Sequence, residues 1–228
     1  MASMSGNSSR DQKGYGLGPG RRKALALAGA AVLTPMSGRA EAREVRILAL
    51  GDSLTAGYGL ARPEGFVAQL EAALRAKGIP ARVLDGGVSG DTTAGGRARL
   101  DWALADRPDV AIVALGGNDG LRAIPPEATH ANLDAILRRL AERNVPALLA
   151  GMLAPPNLGA EYGEAFRGVF ERLTREHDVV FYPFFLDGVA AEPALNQPDG
   201  IHPNARGVAV MVERILPAVE RLIAKARS

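Results

Sequence analysis

From residue 45 onward the sequence repeats one pattern: a short apolar run, then a longer stretch whose apolar residues recur at helical spacing. The first run, Val45-Arg46-Ile47-Leu48-Ala49-Leu50, precedes a periodic segment over 65–77. The pairing recurs at 82–84 with 93–105, 110–115 with 127–142, and 147–152 with 161–176, and a fifth run lies at 179–182. The last segment, 205–226, sets Val208, Met211, Val212, Ile215, Val219 and Ile223 on one stripe, with Glu213, Arg214 and Glu220 elsewhere. Short runs that are mostly apolar rather than alternating describe strands buried on both faces, as in a parallel sheet covered by helices. The predicted fold is α/β, a three-layer α/β/α sandwich on a five-stranded parallel sheet, forming one domain over 43–228.

The segment before it has a different logic. Arg21-Arg22-Lys23 is a positive cluster, residues 24–33 are apolar and uncharged, and Ala40-Glu41-Ala42 is a small-x-small pattern. That order is expected of a cleaved signal peptide, and the apolar run is far short of the about 20 residues that span a bilayer. Residues 1–42 are accordingly expected to be a leader, with a polar Gly/Ser-rich beginning. The chain is expected in the periplasm or secreted, without stable membrane insertion once the leader is removed. The paired arginines also admit the twin-arginine route. Six of the 27 basic and two of the 25 acidic residues lie in 1–42, so the rest holds 21 and 23. The basic excess belongs to the leader, and no nucleic-acid partner is expected. Zero cysteines exclude a disulfide framework and thiolate metal sites.

In a parallel α/β sheet, reactive groups gather beyond the carboxyl ends of the strands. Four segments fall there: Gly51-Asp52-Ser53-Leu54-Thr55, Gly86-Gly87-Val88-Ser89-Gly90-Asp91-Thr92, Gly116-Gly117-Asn118-Asp119 and Asp199-Gly200-Ile201-His202-Pro203-Asn204. A serine hydroxyl needs a base, and an imidazole base needs a third group to hold its tautomer. Ser53, His202 and Asp199 supply those types, and the Asp199/His202 spacing lets both side chains turn to one place. The oxyanion formed at an acyl carbon needs donors, for which the backbone N–H groups of Ser53 and Gly90 and the side-chain amide of Asn118 are candidates.

These four blocks resemble those of the SGNH (GDSL-type) hydrolases, whose name records the Ser, Gly, Asn and His found here as Ser53, Gly90, Asn118 and His202. The resemblance covers roughly 45–223. Within the family it is greatest to the bacterial periplasmic thioesterase I / lysophospholipase L1 / arylesterase subfamily, through GDSLTAGYG, VSGDTTAGG, YPFFLDGV and DGIHPN. It implies the flavodoxin-like SGNH hydrolase fold and cofactor-free hydrolysis of a small acyl ester or thioester. It also implies that residues 152–162 shape the acyl pocket. An acyltransferase or carbohydrate O-deacetylase could use the same triad, and a non-catalytic ligand-binding α/β module is the alternative from another class.

Other readings compete at single residues. Gly-Asp-Ser after a strand is often a turn with a helix cap. Asp52, Asp91, Asp119 and Asp199 could suggest a magnesium site, against which each can cap a turn. The glycines at 86, 87, 90, 95 and 96 match no phosphate-loop pattern. His130 and His177 lie near helix ends and are expected at the surface or as caps.

Overall fold

The computed structural model describes residues 43–227; the leader expected over 1–42 lies outside the described residues. Five parallel strands, β1 (Val45–Gly51), β2 (Ala81–Gly87), β3 (Val110–Ala114), β4 (Ala147–Ala150) and β5 (Val180–Tyr182), form one sheet in the order β2-β1-β3-β4-β5. This is the flavodoxin-like order, whose strand sequence reverses between β1 and β3. β3 and β4 are buried throughout because helices cover both faces.

The described residues form eight α-helices, in chain order α1 (Ser53–Ala56), α2 (Phe66–Ala76), α3 (Thr93–Ala98), α4 (Leu100–Ala103), α5 (Gly117–Leu121), α6 (Pro126–Glu142), α7 (Ala160–Glu176) and α8 (Ala205–Lys225). α2 packs with α8, while α3 packs with α6 and α6 with α7. The usual right-handed β-α-β connection puts α2 on one face of the sheet and α3, α6 and α7 on the other, and α8, after the last strand, returns to pack with α2. All six apolar residues of the α8 stripe are buried.

The elements depart from the sequence expectation in two ways that matter to the site. The segments after β1 and β3, which show no helical period in the sequence, form the short helices α1 and α5. Asp52 starts α1 by accepting from Leu54 N–H with its side chain, at 3.0 Å. Gly116 starts α5 at φ 118°, a conformation that favours glycine, and an added Cβ would lie 3.1 Å from Phe170 Cζ. Second, the single helix expected over 93–105 breaks at Arg99 (φ −103°, ψ 4°) into α3 and α4. Gly95 and Gly96, within α3, lower helix propensity, and the Arg99 side chain has competing partners described below.

Candidate active site

The carboxyl ends of the strands bring the four blocks to one cavity of about 540 Å³, lined by Ser53, Gly90, Asn118 and His202 among others. Ser53 is the first residue of α1, two residues beyond the end of β1, so the sheet fixes where its Oγ points. His202 arrives from the opposite end of the chain on a segment pinned before α8. Gln197 N–H donates to the His202 carbonyl at 2.7 Å, and the Gln197 side chain donates to the carbonyls of Tyr58 and Pro203 at 2.7 and 3.0 Å. Asn204 then caps α8, accepting from Arg206 and Gly207 N–H, each at 3.0 Å.

Within this frame His202 Nε2 lies 2.8 Å from Ser53 Oγ, and His202 Nδ1 lies 2.7 Å from Asp199 Oδ2. Asp199 Oδ1 accepts from Ile201 and His202 N–H, each at 3.0 Å. These bonds, the His202 N–H foremost, hold the Asp199 carboxyl down to about 2. A carboxylate charged across the working pH range accepts from Nδ1–H, which leaves the Nε2 lone pair facing the serine hydroxyl. The Tyr58 ring covers the imidazole, with centroids 4.6 Å apart.

The three oxyanion candidates differ in their surroundings. Gly90 has φ 80°, and its N–H has no hydrogen-bond partner among the described residues. Ser53 N–H belongs to the first turn of a helix, where amides lack intrahelical acceptors. Asn118 lines the cavity, yet its Nδ2 already donates to the Asp91 carbonyl at 2.9 Å and reaches Asp52 Oδ2 at 3.4 Å. One hydrogen is firmly held and the second only weakly.

The four aspartates weighed as cation ligands are each engaged separately. Asp91 Oδ2 accepts from Arg99 Nε at 2.7 Å, Asp119 Oδ2 accepts from Thr93 N–H at 2.9 Å, Asp199 serves His202, and Asp52 caps α1. His177 is the C-cap of α7, with Nε2 2.9 Å from Asp134, and His130 Nε2 lies 2.8 Å from Glu176. Asp134, Glu176 and His177 place donor atoms within 4.8 Å of one another, but Arg138 and Arg172 already pair with the two carboxylates. The cluster is a polar seam joining α6 to α7.

Asp52 is 1 % exposed. Burial pushes its carboxyl up to about 6, against the opposing bonds from Leu54 N–H and Asn118. Its proton is held more tightly in the folded chain than in the unfolded one. This group's contribution to stability therefore falls as pH rises from about 4 to about 6, a loss of at most about 3 kcal/mol. Asp52→Asn removes that slope. Urea unfolding at pH 4, 6 and 8 should show the variant gaining on the wild type between 4 and 6 and levelling off above; a difference constant with pH would contradict it.

A family model for GDSL-like lipase/acylhydrolases matches residues 49–210. The chain belongs to that family. Esterase TesA of Pseudomonas aeruginosa is 36% identical over 202 residues, 88% of this chain and 100% of that protein. Thioesterase 1/protease 1/lysophospholipase L1 of Escherichia coli K12 is 40% identical over 159 residues, 69% of this chain and 75% of that one. The crystal structure of AlinE4, an SGNH-hydrolase family esterase, superposes with a TM-score of 0.68 at 48% identity, covering 79% of this chain and 97% of its own. The chain is a carboxylic ester hydrolase. Among the described residues no helix is long and apolar enough to cross a membrane.

Several contacts of this hydrolase site cannot be read from the residue pattern, even where the residues stand inside a recognisable motif. Tyr58 over His202, Gln197 as the tie of the His202 segment and the wall supplied by Phe184 and Leu186 all depend on packing between distant segments. Of residues 152–162, expected at the acyl pocket, Met152 to Pro156 line the cavity. Tyr162 instead donates to the Ile124 carbonyl at 2.7 Å and stacks on Phe166.

Proposed function

We propose that the enzyme hydrolyses acyl esters or thioesters through an acyl-enzyme on Ser53, with His202 as base and acid and Asp199 as its orienting partner. The observation that carries this reading is the continuous Asp199–His202–Ser53 chain of contacts at 2.7 and 2.8 Å, opening into the cavity.

Ser53 Oγ bonds to the carbonyl carbon as its proton passes to His202 Nε2. The oxyanion takes the N–H groups of Ser53 and Gly90 and the weakly held hydrogen of Asn118, which exchanges its 3.4 Å contact with Asp52 for the new charge. Collapse breaks the bond to the leaving oxygen or sulfur, which departs with the proton from His202. Water then adds to the acyl-enzyme, giving its proton to Nε2, and the acid leaves as Ser53 recovers its own. Every step uses side chains and backbone of this chain alone.

The walls favour an apolar acyl or aryl group. Leu153, Pro155, Phe184 and Ile201 line the cavity, and of six exposed large hydrophobic side chains among the described residues, Tyr58, Leu121, Leu153 and Ile201 lie on it. A sugar would leave hydroxyls unmatched against such walls, which disfavours carbohydrate O-deacetylation. With methanol as a competing acceptor, p-nitrophenyl esters, phenyl esters and thioesters of one acid should give the same ratio of methyl ester to free acid, because all pass through one acyl-enzyme. A ratio that changes with the leaving group would contradict the mechanism, and exclusive acyl transfer would favour the acyltransferase reading.

The sequence order over 21–42, a positive cluster, an apolar run and Ala40-Glu41-Ala42, supports export to the periplasm or beyond. Fractionation of expressing cells should find a chain shortened at its beginning outside the cytoplasm; the full-length chain retained in the cytoplasm would oppose this.

A further inference from the structure

Arg99 sits at the break between α3 and α4, and its side chain is only 18% exposed. Its fork reaches two acceptors from different parts of the sheet edge. Nη2 donates to the Gly51 carbonyl at 2.8 Å, at the end of β1 and two residues before Ser53, while Nε donates to Asp91 Oδ2 at 2.7 Å. Asp91 in turn adjoins Gly90, and its backbone carbonyl accepts from Asn118 Nδ2 at 2.9 Å. One guanidinium thus ties the strand that delivers Ser53 to the residue that both follows Gly90 and orients Asn118.

Stability does not explain this arrangement. Desolvating an arginine–carboxylate pair offsets much of its attraction, and apolar residues of similar volume commonly stabilise a fold as well or better. Arg99 Nη1 is moreover buried without a hydrogen-bond partner, a further unfavourable contribution. What the pair supplies is geometry, since a planar guanidinium fixes two acceptors relative to each other where a lysine ammonium fixes neither direction.

We propose that Arg99 is a positioning residue for the oxyanion hole, setting the Gly90–Asp91 turn and the Asn118 amide against Ser53 by its bonds to Asp91 and Gly51. The proposal rests on the serine-hydrolase mechanism above. It acts through donors that the transition state uses more strongly than the ground state, so the effect belongs in kcat rather than KM.

The test is a double-substitution cycle on the full-length mature enzyme with a p-nitrophenyl ester. Asn118→Ala alone should lower kcat by on the order of 10²–10³-fold. Arg99→Ala alone should lower kcat by on the order of 10–100-fold, with KM within about twofold, yet add little in the Asn118→Ala background. Arg99→Lys, able to reach only one acceptor well, should recover part of the loss. If Arg99→Ala does not fold, Asp91→Asn replaces it, because that change weakens the clamp while keeping the backbone carbonyl that holds Asn118. Equal losses from Arg99→Ala in both backgrounds, or a change confined to KM, would overturn the positioning role. Failure of the mechanism beneath it reads differently: Asn118→Ala would leave kcat unchanged in otherwise wild-type enzyme.

Discussion

Ser53→Ala is expected to reduce kcat toward an aryl ester by on the order of 10⁶-fold, to the level left by the oxyanion donors and substrate binding. The size follows from what the residue contributes. On the proposed mechanism there is no acyl-enzyme without Oγ, and His202 loses the hydroxyl that lies 2.8 Å from its Nε2. Folding should be little affected. Ser53 is only half-buried and, among the described residues, its side chain bonds to His202 alone, while α1 is capped by the side chain of Asp52. The melting temperature should therefore stay within a few degrees of the wild type. Because nucleophile and base act as one unit, adding His202→Ala to Ser53→Ala should lower the rate little further. Activity of Ser53→Ala within tenfold of the wild type would place the chemistry elsewhere.

Asp199→Asn is expected to have the second largest effect, about 10³-fold in kcat. An amide in place of the carboxylate fits the same space, but it can present NH2 to Nδ1 and favour the wrong imidazole tautomer, and it cannot stabilise imidazolium by charge. In a buried triad that change costs about 10⁴-fold. Here the Asp199 side chain is 38% exposed, so water can partly take over the acceptor role, and the loss should be smaller. The same carboxyl is held down to about 2 by the N–H groups of His202 and Ile201 and by the imidazole. As pH falls, Asp199 therefore keeps its charge until well below pH 4, and wild-type activity should show no loss assignable to it above that pH. A kcat–pH profile in which Asp199→Asn removes an acid limb above pH 5 would contradict this assignment.

How much of this was legible in the sequence differs by element. The five strands and the α8 stripe were readable because burial on both faces of a sheet, or on one face of a helix, is written directly into apolar periodicity. Ser53, Gly90, Asn118, Asp199 and His202 could be singled out because three short blocks follow strand ends and a fourth, holding Asp199 and His202, stands in order after them near the last helix. The short helices α1 and α5 escaped because a helix of four or five residues has no period to display, and its existence depends on a cap such as Asp52. The split at Arg99 escaped for a related reason. A helix-compatible residue leaves helical geometry when its side chain has partners 48 residues away at Gly51 and eight away at Asp91, and neither is visible in local sequence. Asp52 illustrates the same limit from the other side. Its capping role was foreseeable from its place before Ser53, whereas its burial and its contact with Asn118, 66 residues on, follow from the meeting of β1 and β3.

The apolar cavity was the least legible feature. Its walls come from the segment after β4, the segment after β5 and the side chains of Tyr58, Leu121 and Ile201, and although several of these stand inside recognisable motifs, nothing in the motifs shows that they share one wall. Only the fold makes them neighbours, and their shared apolar character is what narrows the substrate.

The proposed chemistry turns on Ser53 as a nucleophile activated by His202. The most direct measurement is reaction of the native enzyme with a fluorophosphonate, followed by peptide mass spectrometry. The predicted result is one phosphonyl adduct per chain, on Ser53, with labelling slowed by several orders of magnitude in His202→Ala. An unlabelled native protein that still hydrolyses esters, or an adduct on any residue other than Ser53, would contradict the account.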